Sequence, residues 1–334
     1  MSATDPATVD VVGVGNALVD VLSHESDAFL DAHGLVKGSM ALIDGERADM
    51  LYGAMGPATE ISGGSCANTM AGIASFGGRA AFVGRVHDDQ LGSVFAHDIR
   101  SSGVAFDAPA ASVGAPTGRC LILVTPDAER TQNTFLGAAS ELGPDEVDTD
   151  LVARGQVTYL EGYLFDQPLA KDAFRLAARF AHDAGRRVSL TLSDSFCVER
   201  HRDDFHALVE HEVDILFANE AEVCALYEVD SFDAALQQVR HHCEVAALTR
   251  SAKGSVIVNG DEVHVIDAEP VPTGVVDTTG AGDQYAAGFL FGFTHGYDLG
   301  TCGRLGAIGA AEVIAHLGAR PETDLAALAA PALG

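Results

Sequence analysis

The sequence has no tryptophan and only three lysines, and its 20 basic residues stand against 48 acidic ones. The formal net charge at pH 7 is −28. Nucleic acids and anionic lipid surfaces bind clusters of Lys and Arg. This charge balance therefore excludes a nucleic-acid partner and a membrane-surface protein. The acidity is typical of either salt adaptation or a self-repelling surface.

Disulfide patterns and membrane-spanning runs are also absent. The six cysteines form no Cys-x-x-Cys pair, which in 334 residues predicts reduced, buried thiols. No run of about 18 uncharged apolar residues occurs, so no transmembrane helix is predicted. The first ten residues lack the basic and apolar regions of a secretory leader. We expect a cytoplasmic protein, as a monomer or homodimer, that acts on a small molecule.

Two common nucleotide-binding motifs are incomplete. In GVGNAL (13–18), Leu18 stands where the third glycine of a dinucleotide-binding G-x-G-x-x-G would fall. No lysine follows a glycine, which excludes the G-K-[ST] end of a P-loop. A nucleoside triphosphate would therefore have to bind in another way.

Short apolar segments alternate with helical ones along most of the chain, as in a parallel sheet with helices on both faces. Strands are predicted at 9–15, 157–162, 187–192, 213–218 and 244–249, and helices at 167–185, 220–228 and 231–243. Residues 36–62 are only weakly periodic. Residues 105–136 contain strand-like segments at 118–125 and 129–136, which predict a flap that leaves the main sheet. No repeat or linker divides the chain, so one domain over 1–334 is expected.

The segment DTTGAGDQYAAGFLFG (277–292) predicts a glycine-rich turn before a helix that runs from Asp283 through Phe293. Gly280, Ala281 and Gly282 let backbone amides approach a ligand, and a helix N-terminus favours a phosphoryl group. The same field favours Asp283 as an anion that accepts a proton from an attacking hydroxyl. The alternative is a turn with a capping carboxylate.

Polar residues near two other glycine-containing segments are candidates for binding a sugar. In ISGGSCANTMAGIASFGG (61–78), Gly63 and Gly64 precede a helix with Asn68 in its first turn, a residue that both donates and accepts. Asn16 and Asp20, after the first strand, would clamp vicinal hydroxyls. The alternatives are an ordinary loop–helix junction and, for Asp20, a solvated loop acid.

The segment FANEAEVCAL (217–226) follows a predicted strand. Asn219 and Glu222 face one way on a first helical turn and would hold a hydrated Mg²⁺ near phosphates. A capping box made by the same two residues is equally compatible with the sequence. His241 and His242, at the predicted end of a helix, are expected to be solvated rather than metal ligands.

With these motifs in this order, the chain resembles the ribokinase-like (phosphofructokinase-B type) kinases over nearly its whole length. The resemblance rests on 277–292, 63–78 and NEAE (219–222). It implies an α/β fold, a three-layer α/β/α sandwich with a small β-rich lid from segments near 17–62 and 105–136. It also implies transfer of the ATP γ-phosphate to a hydroxymethyl group of a sugar or nucleoside.

The resemblance also implies roles for single residues. Asp283 would be the catalytic base, residues 280–282 the anion hole, and Glu222 an indirect Mg²⁺ ligand through water. Thr249 and Gly254 would flank ATP, and Asp277 would help to bind a monovalent cation such as K⁺. The ribose would be held by Asn16, Asp20, Gly63, Gly64 and Asn68.

Within the family, several segments are similar to adenosine kinases: GNALVD (15–20), PTGRC (116–120), LSDSFCVERHRDDF (192–205) and VDILFANEAEV (213–223). Arg130 resembles an arginine near the transferred phosphate in that subgroup, the alternative being a surface charge on the lid. We expect phosphorylation of a nucleoside 5′-hydroxyl, adenosine to AMP, with Tyr163 and Phe165 as candidates for stacking on the purine. The alternatives are a ribose- or fructose-type sugar kinase and a non-catalytic ligand sensor.

Overall fold

The protein is described by a computed structural model over residues 8–127 and 129–333. Its larger sheet has eight strands in the order β13-β12-β11-β10-β9-β8-β1-β5. These strands are β1 Val9–Val14, β5 Ala80–Val83, β8 Gly155–Glu161, β9 Arg187–Thr191, β10 Ile215–Asn219, β11 Val245–Thr249, β12 Ser255–Asn259 and β13 Glu262–Ile266. All neighbours are parallel except the antiparallel pairs that β12 makes with β11 and β13.

A smaller sheet of five strands has the order β3-β7-β6-β2-β4. Its strands are β2 Leu18–His24, β3 Met40–Leu42, β4 Ala58–Gly63, β6 Gly118–Val124 and β7 Arg130–Phe135. The strand segments predicted at 118–125 and 129–136 are confirmed as an antiparallel pair. The weakly periodic residues 36–62 contain β3, the helix α2 Gly45–Ala54 and most of β4. Each of these elements is short, so none of them produces a visible repeat in the sequence.

Helices cover both faces of the larger sheet. Within the described residues the helices are α1 Asp27–Ala32, α2 Gly45–Ala54, α3 Ser65–Ser75, α4 Gln90–Ser101, α5 Thr149–Arg154, α6 Pro168–Asp183, α7 Ser195–Arg200, α8 Arg202–His211, α9 Glu220–Tyr227, α10 Phe232–Val239, α11 Ala281–Thr294, α12 Leu299–Val313 and α13 Leu325–Leu333. None of them is long and apolar enough to cross a bilayer.

The two faces of the sheet bury alternate residues of the same strands, as the two-residue period of a strand requires. Val12 of β1 packs in one core cluster with Phe174 of α6, while Val11 packs in the other with Phe289 of α11. Because both faces of these strands are buried, apolar residues stand at successive positions in them, which is why continuous apolar runs predicted them. The predicted α/β class is confirmed, with helices on both sides of a mostly parallel sheet.

One predicted helix boundary is wrong. The helix expected over 231–243 ends at Val239, and the chain turns before β11. The predictions at 167–185 and 220–228 are confirmed within two residues. The carboxyl ends of β1, β8, β9, β10 and β11 lie along one edge of the sheet, where open α/β sheets bind their ligands.

Candidate active site

A cleft of about 1240 Å³ lies between this edge and the smaller sheet. It exceeds the roughly 300–1,000 Å³ of a pocket for one small molecule. The smaller sheet contributes Leu18, Asp20, Met40, Leu42, Cys120, Ile122, Gln132 and Thr134 to its lining. The strand ends contribute Glu161, Thr191, Asn219 and Thr249. The cleft is therefore larger than one small molecule requires, and its wall on the side of the smaller sheet is mostly apolar.

The N-terminus of α11 opens into this cleft. Gly280 precedes the helix with a φ of 79°, and a Cβ atom there would lie 2.7 Å from Ala319 Cα, so this position requires glycine. The amide of Ala281 donates to the carbonyl oxygen of Thr278 (3.2 Å). The amides of Gly280 and Gly282 find no acceptor among the described residues. Two of the three expected amides are therefore free to bind an anion.

Asp283 lies in the first turn of α11 and its carboxylate is held at both oxygens. Ser65 Oγ donates to Oδ1 (2.6 Å) and Asn68 Nδ2 donates to Oδ2 (3.1 Å). Burial raises the pKa of Asp283 above its ordinary value, and the two hydrogen bonds and Arg320 oppose that rise. The side chain is thus both fixed in direction and more basic than an exposed aspartate, which suits a general base.

Arg320 is a site residue that the sequence motifs do not identify. Its Nε donates to Asn68 Oδ1 (2.8 Å), and its Nη2 donates to the carbonyl oxygen of Ser62 (2.8 Å). Because Arg320 occupies the amide oxygen of Asn68, the amide nitrogen must face Asp283. Arg320 therefore orients Asn68 and adds positive charge beside the Asp283 carboxylate.

Glu161, at the end of β8, is a second residue outside the motifs. Asn16 Nδ2 donates to its Oε1 (2.5 Å), and the amide of Cys66 donates to its Oε2 (2.8 Å). Burial raises the pKa of Glu161 to about 7. The Glu161 carboxylate connects the end of β1 to the start of α3. Asn16 uses its side-chain nitrogen for this bond, so its side-chain oxygen Oδ1 can accept from another partner.

Asp20 and the two glycines before α3 lie next to this network. Burial raises the pKa of Asp20 to about 6, while Arg320 and Arg130 oppose the rise. A Cβ on Gly63 would collide with the Asp20 carboxylate. Gly64 has a φ of 99° and a Cβ there would collide with the backbone oxygen of Asn16. Asp20 is thus a partly buried carboxylate at the cleft, in strand β2, which is not the environment of a solvated loop acid.

Arg130 reaches from β7 of the smaller sheet to Asp277, just before the glycine turn. Its Nη1 lies 2.8 Å from Asp277 Oδ2, and the two side chains are 8% and 9% exposed. Thr279 and the amide of Gly318 also donate to Asp277. The donor set fits a guanidinium rather than a monovalent cation at this carboxylate. Nε and Nη2 of Arg130 are buried with no acceptor among the described residues.

The expected ATP-binding residues line the other half of the cleft. Asn219 caps α9 by accepting from the amide of Glu222 (2.9 Å), and the Glu222 carboxylate accepts from the amide of Asn219 (2.9 Å). The capping box is therefore formed, and burial raises the pKa of Glu222 to about 7. Thr249 ends β11, and Gly254 has a φ of 79° in the following turn.

Of the two aromatic candidates, only Tyr163 lines the cleft. Phe165 is 1% exposed and stacks on Phe205 in the core, with ring centroids 4.6 Å apart, so this part of the prediction is wrong. Phe196, in α7, lines the cleft and is 70% exposed. An exposed aromatic side chain at a cleft is a candidate for stacking on a base.

Comparisons with known proteins agree with this geometry. The pfkB family carbohydrate kinase model matches residues 48–325. The crystal structure of adenosine kinase from Sinorhizobium meliloti is 52% identical, with a TM-score of 0.90 over 98% of this chain and 100% of that one. A probable sugar kinase protein from Rhizobium etli is 49% identical, with a TM-score of 0.90 over 98% and 99%. Adenosine kinase from Saccharomyces cerevisiae is 26% identical over 316 residues, 88% of this chain and 91% of its own.

The fold, the fixed carboxylate at a glycine-led helix and these likenesses lead to one conclusion. The chain belongs to the pfkB family of carbohydrate kinases.

Proposed function

We propose that this kinase phosphorylates the 5′-hydroxyl of a nucleoside, adenosine, to form AMP. The observation that carries the proposal is that one cleft combines polar and apolar lining residues. The fixed Asp283 carboxylate and two free amides face the same cleft as Asn16 and Asp20, and the cleft also contains Tyr163 and the apolar residues of the smaller sheet. A relative named adenosine kinase at 52% identity over nearly the whole chain supports the choice of a nucleoside.

Asp283 is the general base in this proposal. The acceptor hydroxyl lies within reach of its carboxylate and gives up its proton as the oxygen attacks the γ-phosphorus. Ser65 and Asn68 keep the carboxylate in one orientation, so little reorganisation is needed when the substrate arrives. The amides of Gly280 and Gly282 stabilise the negative charge of the transferred group.

The ribose is bound by Asn16 and Asp20, with Gly63 and Gly64 allowing close approach and Asn68 beside them. Glu161 acts as a positioning residue, because both its oxygens accept bonds from the backbone and side chain around Asn16. Arg130 has two buried nitrogens with no acceptor among the described residues, and these would donate to the transferred phosphate if the lid brings it close. The smaller sheet is the lid that excludes water.

ATP lies against Thr249 and Gly254 in the other half of the cleft. The Glu222 carboxylate is buried with a raised pKa, so a nearby cation would favour its ionised form. Glu222 and Asn219 would hold Mg²⁺ through water. Mg²⁺ bound there would neutralise phosphate charge. The residues at Asp277 do not fit K⁺, and the proposal needs no monovalent cation there.

The second candidate is a sugar acceptor, which the 49% identical probable sugar kinase protein favours. Both candidates use the same base and amides, and they differ in what the apolar wall contacts. Purified enzyme with ATP is assayed for ADP release with adenosine, ribose and fructose. Phosphorylation of a sugar without phosphorylation of adenosine would reject the nucleoside. 5′-Deoxyadenosine, which lacks the attacked hydroxyl, should be a competitive inhibitor and not a substrate.

The base is tested by Asp283→Asn. We expect adenosine binding to persist and kcat to fall by about 10²–10⁴-fold, because the amide cannot take the proton. Asp298→Asn is the matched control, since Asp298 caps the neighbouring helix α12 and asparagine caps equally well. Near-normal kcat in Asp283→Asn would reject the assignment, and loss of turnover in the control would point to a general effect on folding.

A further inference from the structure

A cluster of two histidines and a glutamate lies at the edge of the sheet opposite the cleft. His206 and Glu210 are four residues apart on α8, so they share one face of that helix. His242 lies in the turn between α10 and β11. Helix α8 ends just before β10 begins, so all three residues lie near the amino ends of β10 and β11. Asn219 and Thr249, proposed to bind ATP, lie at the carboxyl ends of the same strands.

The spacing of the three side chains is that of a metal-binding set. His206 Nδ1 lies 3.6 Å from Glu210 Oε2, and His242 Nε2 lies 3.7 Å from Glu210 Oε1. The three ligand atoms are all within 4.8 Å of one another. Ligands of a tetrahedral Zn²⁺ site, bound at about 2.0–2.1 Å, are about 3.3 Å apart. Small side-chain movements would close the set around one ion.

Neighbouring groups orient both imidazoles. Tyr227 Oη lies 2.9 Å from His242 Nδ1. When Nδ1 carries the proton it donates to Tyr227 Oη, and the Nε2 lone pair then faces Glu210. A hydrogen bond to the second nitrogen is typical of histidines that bind metals. The His206 ring packs edge-on against Tyr227 and His242, with centroids 5.5 and 5.4 Å apart.

The partial exposure of the cluster suits a site that ions can reach. His206 and Glu210 are each 37% exposed and His242 is 22% exposed. His242 is therefore not the freely solvated histidine that the sequence predicts.

We propose that His206, Glu210 and His242 bind one divalent transition-metal ion of the Zn²⁺ class, with water as the fourth ligand. Two imidazoles and one carboxylate with an open position form a known type of zinc donor set, whereas Mg²⁺ prefers oxygen ligands. The ion cross-links α8 to the turn before β11. Its effect is on the stability of this edge of the sheet, because the cluster is remote from the cleft.

The test uses tag-free, chelator-treated protein titrated with Zn²⁺ by calorimetry and with Co²⁺ by visible absorption. We expect one ion per chain, a tetrahedral Co²⁺ spectrum and a higher Tm with Zn²⁺. His206→Ala and His242→Ala should abolish all three effects, and Glu210→Gln should weaken binding by about 10–100-fold. The control is His211→Ala, an exposed histidine on the same helix outside the cluster, which should bind like the wild type.

Circular dichroism and turnover with ATP and Mg²⁺ check that each variant is folded, and each variant should turn over at the rate of the wild type when both are freed of Zn²⁺. The proposal is overturned if the wild type takes up no Zn²⁺ at micromolar free metal. It is also overturned if the double variant at His206 and His242 still binds one ion per chain. Equal loss in His211→Ala would show adventitious binding by surface histidines and would reject the cluster as well.

Discussion

At the scale of single residues, two glycines at the start of α11 are expected to have different roles: Gly280 is required by the backbone, and Gly282 is proposed to be required by the reaction. Gly280 has a left-handed backbone and contacts Ala319, whereas a Cβ on Gly282 would meet nothing within 4 Å. Gly280→Ala should therefore lower the free energy of unfolding by about 1–3 kcal/mol. Gly282→Ala should leave it unchanged or raise it by about 1 kcal/mol, since alanine favours a helix.

The same pair makes opposite predictions for activity. The methyl group of Gly282→Ala would occupy the space beside the base where the transferred phosphoryl group is proposed to pass, so kcat should fall while Tm does not. Chemical denaturation and steady-state kinetics measure the two effects. A Gly282→Ala enzyme with normal kcat would mean that the phosphoryl group does not pass this amide.

Asp20 makes a prediction about pH. Burial raises its pKa to about 6, and the ionised carboxylate accepts hydrogen bonds from two sugar hydroxyls more strongly than the neutral acid does. As the pH falls through that value the carboxyl becomes protonated, so KM for the nucleoside should rise while KM for ATP stays level. Asp20→Asn should have a high KM that no longer changes over this range. A pH profile of KM identical in the variant and the wild type would exclude Asp20 from the sugar site.

At the scale of elements, the Arg130–Asp277 ion pair connects the smaller sheet to the segment that leads into the glycine turn before α11. Removing one partner leaves a buried charge unpaired, which typically costs about 3–5 kcal/mol, whereas removing both is much less costly. Arg130→Met and Asp277→Asn should each lower the free energy of unfolding. The double variant should lose less than the sum of the two single losses. Denaturation of the four proteins gives the coupling energy. Additive effects would mean that the pair does not join the two elements.

The elements also show how far the sequence predicts this structure. Apolar runs buried on both faces predict the strands of the larger sheet, and local motifs predict the position of Asp283 and the Asn219–Glu222 pair. Residues whose role depends on distant partners are not predicted: Asn16 and Glu161 are 145 residues apart, and Asn68 and Arg320 are 252 apart. Phe165 illustrates the reverse error, because sequence alone does not tell which side of a turn an aromatic ring occupies.

At the scale of the whole molecule, charge and buried acids give a common prediction for stability. Glu161, Glu222 and Asp20 have folded-state pKa values of about 7, 7 and 6, above their ordinary values. For these three groups the folded state binds more protons than the unfolded state, so their contribution to stability is fully present below the unfolded pKa values and is lost as the pH rises through about 6 to 7. The net charge of −28 adds repulsion that also grows with pH.

Tm should thus rise when the pH is lowered from about 8 to about 5.5. Salt separates the two causes, because it screens surface charges far more than buried ones. Adding NaCl should raise Tm at the higher pH and reduce the pH dependence without abolishing it. The remaining dependence should shrink in Glu222→Gln. A Tm that falls on mild acidification would contradict the buried-acid account.

The bonds that hold the Asp283 carboxylate come from residues more than 200 positions away, 218 for Ser65 and 215 for Asn68. The two ends of the chain must therefore both be in place before the base is aligned. A chain in which these distant segments have not yet met holds that carboxylate in no fixed direction. If Asp283 is the proposed base, turnover depends on this long-range contact and can serve as a reporter of native folding.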